Sequence, residues 1–431
     1  MADRFVEPAS AVVGHIAVPG DKSISHRAVL TAAIGEGESR IAGFGRSADT
    51  EASLAALRAL GVEVEEEDVD VLVVRGVGLR GLREPDGPID CGNSGTLIRL
   101  LAGILAGQEG RRFVLTGDES LRSRPMERVA EPLRRMGAGV ETTDGGAPLA
   151  IEGAQLTAIR HEPVVPSAQV KSSLLLAGLY ARGRTSVVEP IPTRDHTELM
   201  LAAAGAAVRR RGAGISIAPA ERLELGSVEI PGDLSSAASF VVGATLLAGS
   251  ELTVHGVGLN PTRAGFLELL GHMGARLTVV NRGRLGREPA GDLDVRPAEL
   301  VAASVGPEQV PGLVDELPLF ALAAGFARGE SIVRGAGELR AKETDRIETV
   351  TSALRALGIR IVASDDGFGV RGVPTRPKGG GLDSGGDHRV AMLGGTAGVV
   401  SREGVLVRGA EAVATSFPGF FELFDEVARR P

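Results

Sequence analysis

Apolar positions along the chain follow one repeated rhythm. A polar start bearing Gly or Ser leads into an Ala/Leu-rich run with helical spacing. A short Gly break and a Val-rich strand come next, and in most cases a second helix ending in Gly and another strand follow. Six segments share this grammar. The first opens at PGDKSISHR (Pro19 to Arg27) and passes through Leu54, Leu57 and Leu60 to Gly61. The second opens at Cys91-Gly92-Asn93-Ser94-Gly95-Thr96 and reaches Gly137; the third opens at Pro166-Ser167-Ala168-Gln169 and reaches Gly205. PGDLSSAASF opens the fourth, which passes Gly274, and VDELPLFALAAGF opens the fifth, which passes Gly358. GGDHRVAM opens the sixth, which ends with the chain. In five of the six, the second helix meets a Gly where a left-handed C′ residue belongs.

The short Val-rich strands are VLVV, RFVLTG, TSVVE, ELTVHG, ESIVRG and GVLVRG. Each segment therefore reads as a βαβ-type module, which cannot bury its own faces and must stack on its neighbours. Pro-Gly-Asp occurs at Pro19-Gly20-Asp21 and again at Pro231-Gly232-Asp233, opening repeats one and four. The expected organisation is α/β, with two similar three-repeat domains. One spans 21–230; the other combines 1–20 with 231–431.

Composition narrows the function. The chain has 431 residues, enough for two domains, and a net charge of −8 with one Tyr and no Trp. A nucleic-acid binder shows a basic face with aromatics for stacking, and neither is evident. The single cysteine, Cys91, excludes an internal disulfide and a cysteine-based zinc cluster, and the seven His show no metal-ligand spacing. With no signal peptide and no long apolar stretch, the chain is expected to be soluble and cytoplasmic.

Within this acidic chain, cations gather at the repeat starts. The first start carries Lys22, Ser23 and Arg27; the second Asn93, Gly95, Thr96 and Arg99; the third Ser167, Gln169 and Lys171. The fifth brings Asp315 and Glu316, and the sixth His388 and Arg389. Two loops add Arg124 (in RSRPMER) and Lys342, Glu343, Asp345 and Arg346 (in KETDR). A helix N-terminus has unpaired N–H groups and partial positive charge, so cations placed there suit small polyanions. GNSGT is a small-residue turn that lets backbone amides approach a ligand, but such turns are common. No GxxxxGK[ST] pattern occurs, so a nucleotide triphosphate is not indicated. KETDR sets Lys342 and Arg346 four apart, which predicts one helical face and suits a surface ion-pair helix equally well.

Taken together, GDKSISHR, GNSGTLIRLL, RPMER, SAQVKS, TRDHTE, PGDLSSA, VDELP, KETDR and GDHRVAM closely resemble, in order, the 5-enolpyruvylshikimate-3-phosphate synthase family. The resemblance covers essentially the whole chain. It implies two domains of three βαβαββ units, each around a pseudo-threefold axis. It also implies transfer of the enolpyruvyl group of phosphoenolpyruvate to the 5-hydroxyl of shikimate 3-phosphate in aromatic amino acid biosynthesis, with no metal and no organic cofactor. By the same resemblance, Ser23, Arg27, Ser167, Ala168, Gln169 and Arg194 hold shikimate 3-phosphate. Lys22, Gly95, Arg124, Gln169, Arg346 and Arg389 hold phosphoenolpyruvate, with Asn93, Thr96 and Arg99 shaping the turn. Asp315 takes the proton of the attacking hydroxyl, Glu343 protonates the methylene carbon, and Lys22 and Lys342 stabilise the tetrahedral intermediate. Residue types alone leave open which carboxyl is acid and which is base. The partners implied are these two small molecules, with no nucleic acid and no membrane, and a monomer is expected.

Departures from the family pattern are local. Ala168 stands where many members have a second serine, Leu100 where some have proline, and Thr415-Ser416 where many have a lysine. RxHxE (Arg194, His196, Glu198), SAQxK (ending at Lys171) and NxTR (Asn260, Thr262, Arg263) resemble the class II subgroup, known for tolerance to glyphosate. The related enolpyruvyl transferase acting on UDP-N-acetylglucosamine typically has Lys-Asn where Lys22-Ser23 stands. A non-catalytic anion-binding module would lack Asp315 and Glu343. RNA 3′-phosphate cyclase has related repeats but would bring nucleotide-binding features.

Overall fold

The computed structural model describes residues 2–430. The chain divides into two compact units. The first holds Gly20–Ile230 together with Leu285–Glu288; the second holds the chain up to Pro19, Pro231–Arg284, and the chain from Pro289 onward. The assignment of Leu285–Glu288 corrects the expectation that 231–431 lie together. Glu288 is fixed in the first unit, where its Oε1 lies 2.7 Å from the buried Nδ1 of His196.

Each unit contains three small sheets. In the first, every sheet has four strands, with one parallel pair at one edge and antiparallel pairing beyond it. Ile89–Asp90 runs parallel to Arg112–Thr116, and the helix Gly95–Ala106 connects them, as a βαβ crossover requires. Arg160–His161 and Thr185–Val188 repeat this around Ala168–Gly178. In the second unit, Ser304–Val305 pairs in parallel with Gly329–Val333, and Gly380–Asp383 with Val405–Arg408.

The two remaining repeats take their leading strands from distant parts of the chain. Ala11–Ala17 precedes repeat one in sequence but pairs in parallel with Glu251–Gly258 of repeat four. Ser227–Glu229, from the end of repeat three, fills the matching place beside Glu36–Ala42. Arg4–Val6 pairs with Val405–Arg408 in the sixth sheet.

Each unit has its own apolar core. The helix that opens each repeat is buried nearly all round, which explains why its apolar residues show no single stripe. Helix Gly95–Ala106 packs on Ala168–Gly178 at backbone distance: a Cβ at Gly103 would fall 2.1 Å from the Ser173 carbonyl oxygen. The second helices are amphipathic, as Glu127–Met136 shows with Val129, Leu133 and Met136 buried. Gly61, Gly137, Gly205, Gly274 and Gly358 follow these helices with φ between 84° and 110°. A side chain in that region costs about 1–2 kcal/mol, so the Gly breaks in the sequence are chain reversals.

Candidate active site

Five of the six opening helices are capped by a side chain. Asp21 accepts from Ile24 N at 2.9 Å, Ser94 from Leu97 N at 3.1 Å, and Ser167 from Val170 N at 3.4 Å. Asp233 accepts from Ser235 N at 2.7 Å and Asp387 from Arg389 N at 2.9 Å. The caps begin each helix at the polar residues of the repeat start and so bring those residues to one end of each unit's buried helices. The fifth helix, Leu317–Phe326, begins after Glu316, which makes no cap. The Glu316 carboxylate is fully buried and lies 2.8 Å from Arg263 Nη1.

In the first unit, Arg27 is buried and held by neutral oxygens. Its Nε donates to Thr197 Oγ1 at 2.7 Å, Nη2 to Ser172 Oγ at 3.0 Å, and Nη1 to the Ser23 carbonyl at 2.9 Å. Burial lowers its pKa to about 10, with Glu198 opposing the shift and Arg194 adding to it. Thus Ser23, Arg27 and Arg194 come together. Lys22 lies beside them, its Nζ 2.7 Å from Asp49 Oδ2.

A second group in this unit surrounds the GNSGT turn. Arg124 Nη2 donates to Asn93 Oδ1 at 2.6 Å, and Asn93 Nδ2 donates to Asp118 at 2.7 Å. Arg99 Nη1 donates to Gln169 Oε1 at 2.7 Å and to the Gly95 carbonyl at 3.2 Å. Gln169 Nε2 in turn reaches Thr96 Oγ1 at 3.0 Å. A Cβ at Gly95 would stand 2.8 Å from Arg99 Nη1 and 3.0 Å from Arg124 Nη1, so glycine is what lets two guanidinium groups close on the turn. His26, buried beneath both groups, sits 2.7 Å from Ser53 Oγ and 3.3 Å from the capping Ser94 Oγ. Burial, then Lys22 and Arg27, hold its pKa well below the ordinary value of 6.5. Burial likewise raises the thiol of Cys91, which is packed in the core.

In the second unit, carboxylates and cations alternate. Asp315 lies 3.6 Å from Arg346 Nη1, 3.9 Å from Arg389 Nη2 and 4.0 Å from Arg263 Nη2. Arg346 also pairs with Glu343, and its Nε donates to Asp387 at 2.7 Å. Burial would lower the Arg346 pKa, but Asp387, Glu343 and Asp315 together raise it. Lys342 has its pKa lowered by burial, against the pull of Glu338 and Asp315. Asp315, Lys342, Glu343, Arg346 and Arg389 therefore form one cluster.

One expectation is corrected here. Lys342 and Arg346 do not share a helical face. A 3₁₀ turn, Gly337–Ala341, ends at Lys342, and a new helix, Arg346–Ala356, begins after Asp345. The Asp345 carboxylate accepts from Ile347 N and Glu348 N, which starts the helix at Arg346 and leaves Lys342 outside it. Ser167 serves as a helix cap, and Ala168 occupies the first helical position beside it.

Sequence reasoning missed two supporting carboxylates, Asp49 beside Lys22 and Asp387 beside Arg346. Asp387 carried a signal, because it occupies the capping place that Asp21 and Asp233 occupy in their repeats. Asp49 carried none. Among the described residues, no group of three or more His, Cys, Asp or Glu is placed to hold a metal ion, and no helix is long and apolar enough to cross a membrane.

Three small sheets around buried helices, repeated in a second unit, define the enolpyruvyl transferase fold. The chain resembles the enolpyruvyl transferase NikO from Streptomyces tendae with TM-score 0.79 at 20% identity, over 98% of this chain and 96% of that one, which is a likeness of fold alone. Residues 6–424 match EPSP synthase (3-phosphoshikimate 1-carboxyvinyltransferase), and the chain belongs to that family. It resembles the EPSP synthase structure from Acinetobacter baumannii with TM-score 0.87 at 42% identity, over 99% and 98% of the two chains. It is 49% identical to the 3-phosphoshikimate 1-carboxyvinyltransferase of Alkalilimnicola ehrlichii, over 97% of this chain and 94% of that protein. It is 46% identical to the same enzyme of Geobacter sp. strain M21 over the full length of both.

Proposed function

We propose that this protein transfers the enolpyruvyl group of phosphoenolpyruvate to the 5-hydroxyl of shikimate 3-phosphate and releases phosphate. The observation that carries the reading is Asp315, a carboxylate within 4.0 Å of three guanidinium groups. Cations so close favour the ionised form, which a base for a weakly acidic hydroxyl needs. Ser23, Arg27, Ser167, Ala168, Gln169 and Arg194 take shikimate 3-phosphate. Lys22, Gly95, Arg124, Gln169, Arg346 and Arg389 take phosphoenolpyruvate, and Asn93, Thr96 and Arg99 hold the turn around Gly95.

The atoms balance in two stages. The 5-oxygen bonds to C2 of phosphoenolpyruvate as Asp315 takes the hydroxyl proton and Glu343 delivers one to C3. This produces a tetrahedral intermediate. The Glu343 carboxylate then takes a proton back from C3, the bond between C2 and the phosphate oxygen breaks, the alkene re-forms, and phosphate departs with the proton held by Asp315. Lys22 and Lys342 offset the developing charge. Both side chains are largely shielded from solvent, where a positive charge is less screened than in water.

The test is phosphate release from phosphoenolpyruvate, with and without shikimate 3-phosphate. Release that depends on shikimate 3-phosphate is expected. Release supported by UDP-N-acetylglucosamine instead, or no release with either acceptor, would overturn the assignment.

A further inference from the structure

Two of the sequence motifs, SAQxK and RxHxE, have residues that the chemistry above does not use: Lys171 and Glu198. They meet in the first unit. Lys171 is fully buried, and its Nζ lies 2.8 Å from Glu189 Oε2 and 2.8 Å from Glu198 Oε1. The same nitrogen donates to the Thr193 carbonyl at 3.3 Å, and the Thr193 hydroxyl donates to Glu189 Oε1. One ammonium therefore joins three elements: its own helix Ala168–Gly178, the segment from Glu189 to Thr193, and the helix His196–Ala203.

We propose that Lys171 is a positioning residue for shikimate 3-phosphate, setting the Glu189–Arg194 segment and the two helices that orient Arg27. This rests on the function proposed above. The segment reads Glu-Pro-Ile-Pro-Thr-Arg, and its two prolines have no N–H to tie it down. The backbone ties its start, where Glu189 N donates to the Ala213 carbonyl at 2.8 Å, and the Lys171 network ties its far end at Thr193, next to Arg194. Arg27 depends on the same helices. Its guanidinium is held by Ser172, the neighbour of Lys171, and by Thr197, the neighbour of Glu198, and Thr197 Oγ1 bonds Ser172 Oγ at 2.7 Å. A slip between the two helices would therefore move Arg27.

A buried ion triad is a poor device for stability, since apolar residues of similar volume often serve as well or better. It is a good device for geometry, because each charge must find its partners at hydrogen-bonding distance. Two carboxyl groups share the one ammonium; burial raises the Glu198 pKa, and Arg210 Nη2 lies 3.6 Å from its Oε1.

The experiment is steady-state kinetics with each substrate varied, on the wild type, Lys171→Met and Lys171→Arg. Lys171→Met is expected to raise the KM for shikimate 3-phosphate about tenfold or more, the scale of a small misplacement, while the KM for phosphoenolpyruvate changes less than about threefold. Lys171→Arg, which keeps the charge and donors, should recover most of the loss. If both KM values move together, or neither moves while the melting temperature falls, Lys171 is merely structural and the proposal fails. Should Lys171→Met not fold, Glu198→Gln retains one ion pair and must show the same split in weaker form; equal KM changes there overturn the proposal too. A wild type without shikimate 3-phosphate-dependent phosphate release refutes the proposed function separately. The tether is then read by amide hydrogen exchange over residues 189–195. Faster exchange than in wild type in Lys171→Met, or in Glu198→Gln where Lys171→Met does not fold, supports it, and unchanged exchange refutes it.

Discussion

Arg27 and Arg346 are both buried arginines near the start of a helix, and they are held in opposite ways. Hydroxyl and carbonyl oxygens hold Arg27. Three carboxylates, from Asp315, Glu343 and Asp387, surround Arg346. A neutral cradle fixes the geometry of a cation without cancelling its charge, so the field remains available to an incoming phosphate. A carboxylate cradle cancels much of that charge but orients the acids themselves. The first unit thus leaves the field of a buried cation open, and the second sets carboxylates in fixed positions around one. Lys22 departs from the first pattern, because Asp49 pairs with it at 2.7 Å. That pair aims the ammonium of a residue assigned to the chemistry.

The largest test of this contrast lies in the second unit. Replacing Asp315 by Ala or Glu343 by Gln should lower turnover about 10²- to 10⁴-fold, the range for losing a positioned acid or base, with smaller changes in KM. Turnover near wild type in both variants, measured by phosphate release, would place the chemistry elsewhere.

The next effect belongs to the first unit. Arg27→Lys keeps the charge but loses the planar fork that reaches Thr197, Ser172 and Ser23 at once. Losing about 1.5–3 kcal/mol of charged hydrogen bonding should raise the KM for shikimate 3-phosphate roughly 10- to 100-fold. Turnover at saturation should stay within a few-fold. A fall in turnover equal to the rise in KM would show that Arg27 acts in the transition state, and the division between the two units would break.

A smaller, selective effect is expected at Gly95. Its Cβ would press on the ends of Arg99 and Arg124, which are flexible enough to give way. Overpacking of this kind costs about 1 kcal/mol, so Gly95→Ala should raise the KM for phosphoenolpyruvate several-fold. The inhibition constant of glyphosate should rise more than that KM, since a longer ligand needs more of the crowded space. The ratio of the two constants, compared in both proteins, decides the matter.

The smallest effect at neutral pH concerns His26, which reports the field of the cations above it. Its folded pKa is depressed, first by burial and then by Lys22 and Arg27. The unfolded chain therefore takes up a proton near pH 6.5 that the folded chain does not. Stability contributed by neutral His26 is present above pH 6.5 and is lost as pH falls below it, by about 1.4 kcal/mol per pH unit until the folded pKa is reached. Urea unfolding between pH 7.5 and 5.5 should show this slope in wild type and lose it in His26→Gln. An equal slope in both would mean that His26 titrates normally.

The local structure of both regions could be read from the sequence, because its causes lie within a few residues. Asp21, Ser94, Ser167 and Asp387 begin helices by bonding amides two or three positions ahead. Gly61 and its four counterparts end helices by adopting a φ that other residues resist. Those signals, repeated along the chain, determine the six modules and the order of the motifs, and with them the family. KETDR marks the limit of such reading. A four-residue spacing predicted one face, but the cap at Asp345 divides the stretch.

Tertiary structure decided what each polar residue faces. Arg27 meets Thr197 across 170 positions, and Arg346 meets Asp387 across 41. The strand Ala11–Ala17 leaves the helix it precedes and joins Glu251–Gly258, while Ser227–Glu229 takes its place. No local pattern specifies such choices. Strand pairing and ion pairing between distant segments depend on which surfaces remain uncovered once the modules have stacked, and on desolvation, which exists only after they have. The sequence by itself therefore determined which side chains were available to the site. Packing decided that Arg27 would keep its field, that Arg346 would give much of its own to three carboxylates, and that Lys171 would be shared between two.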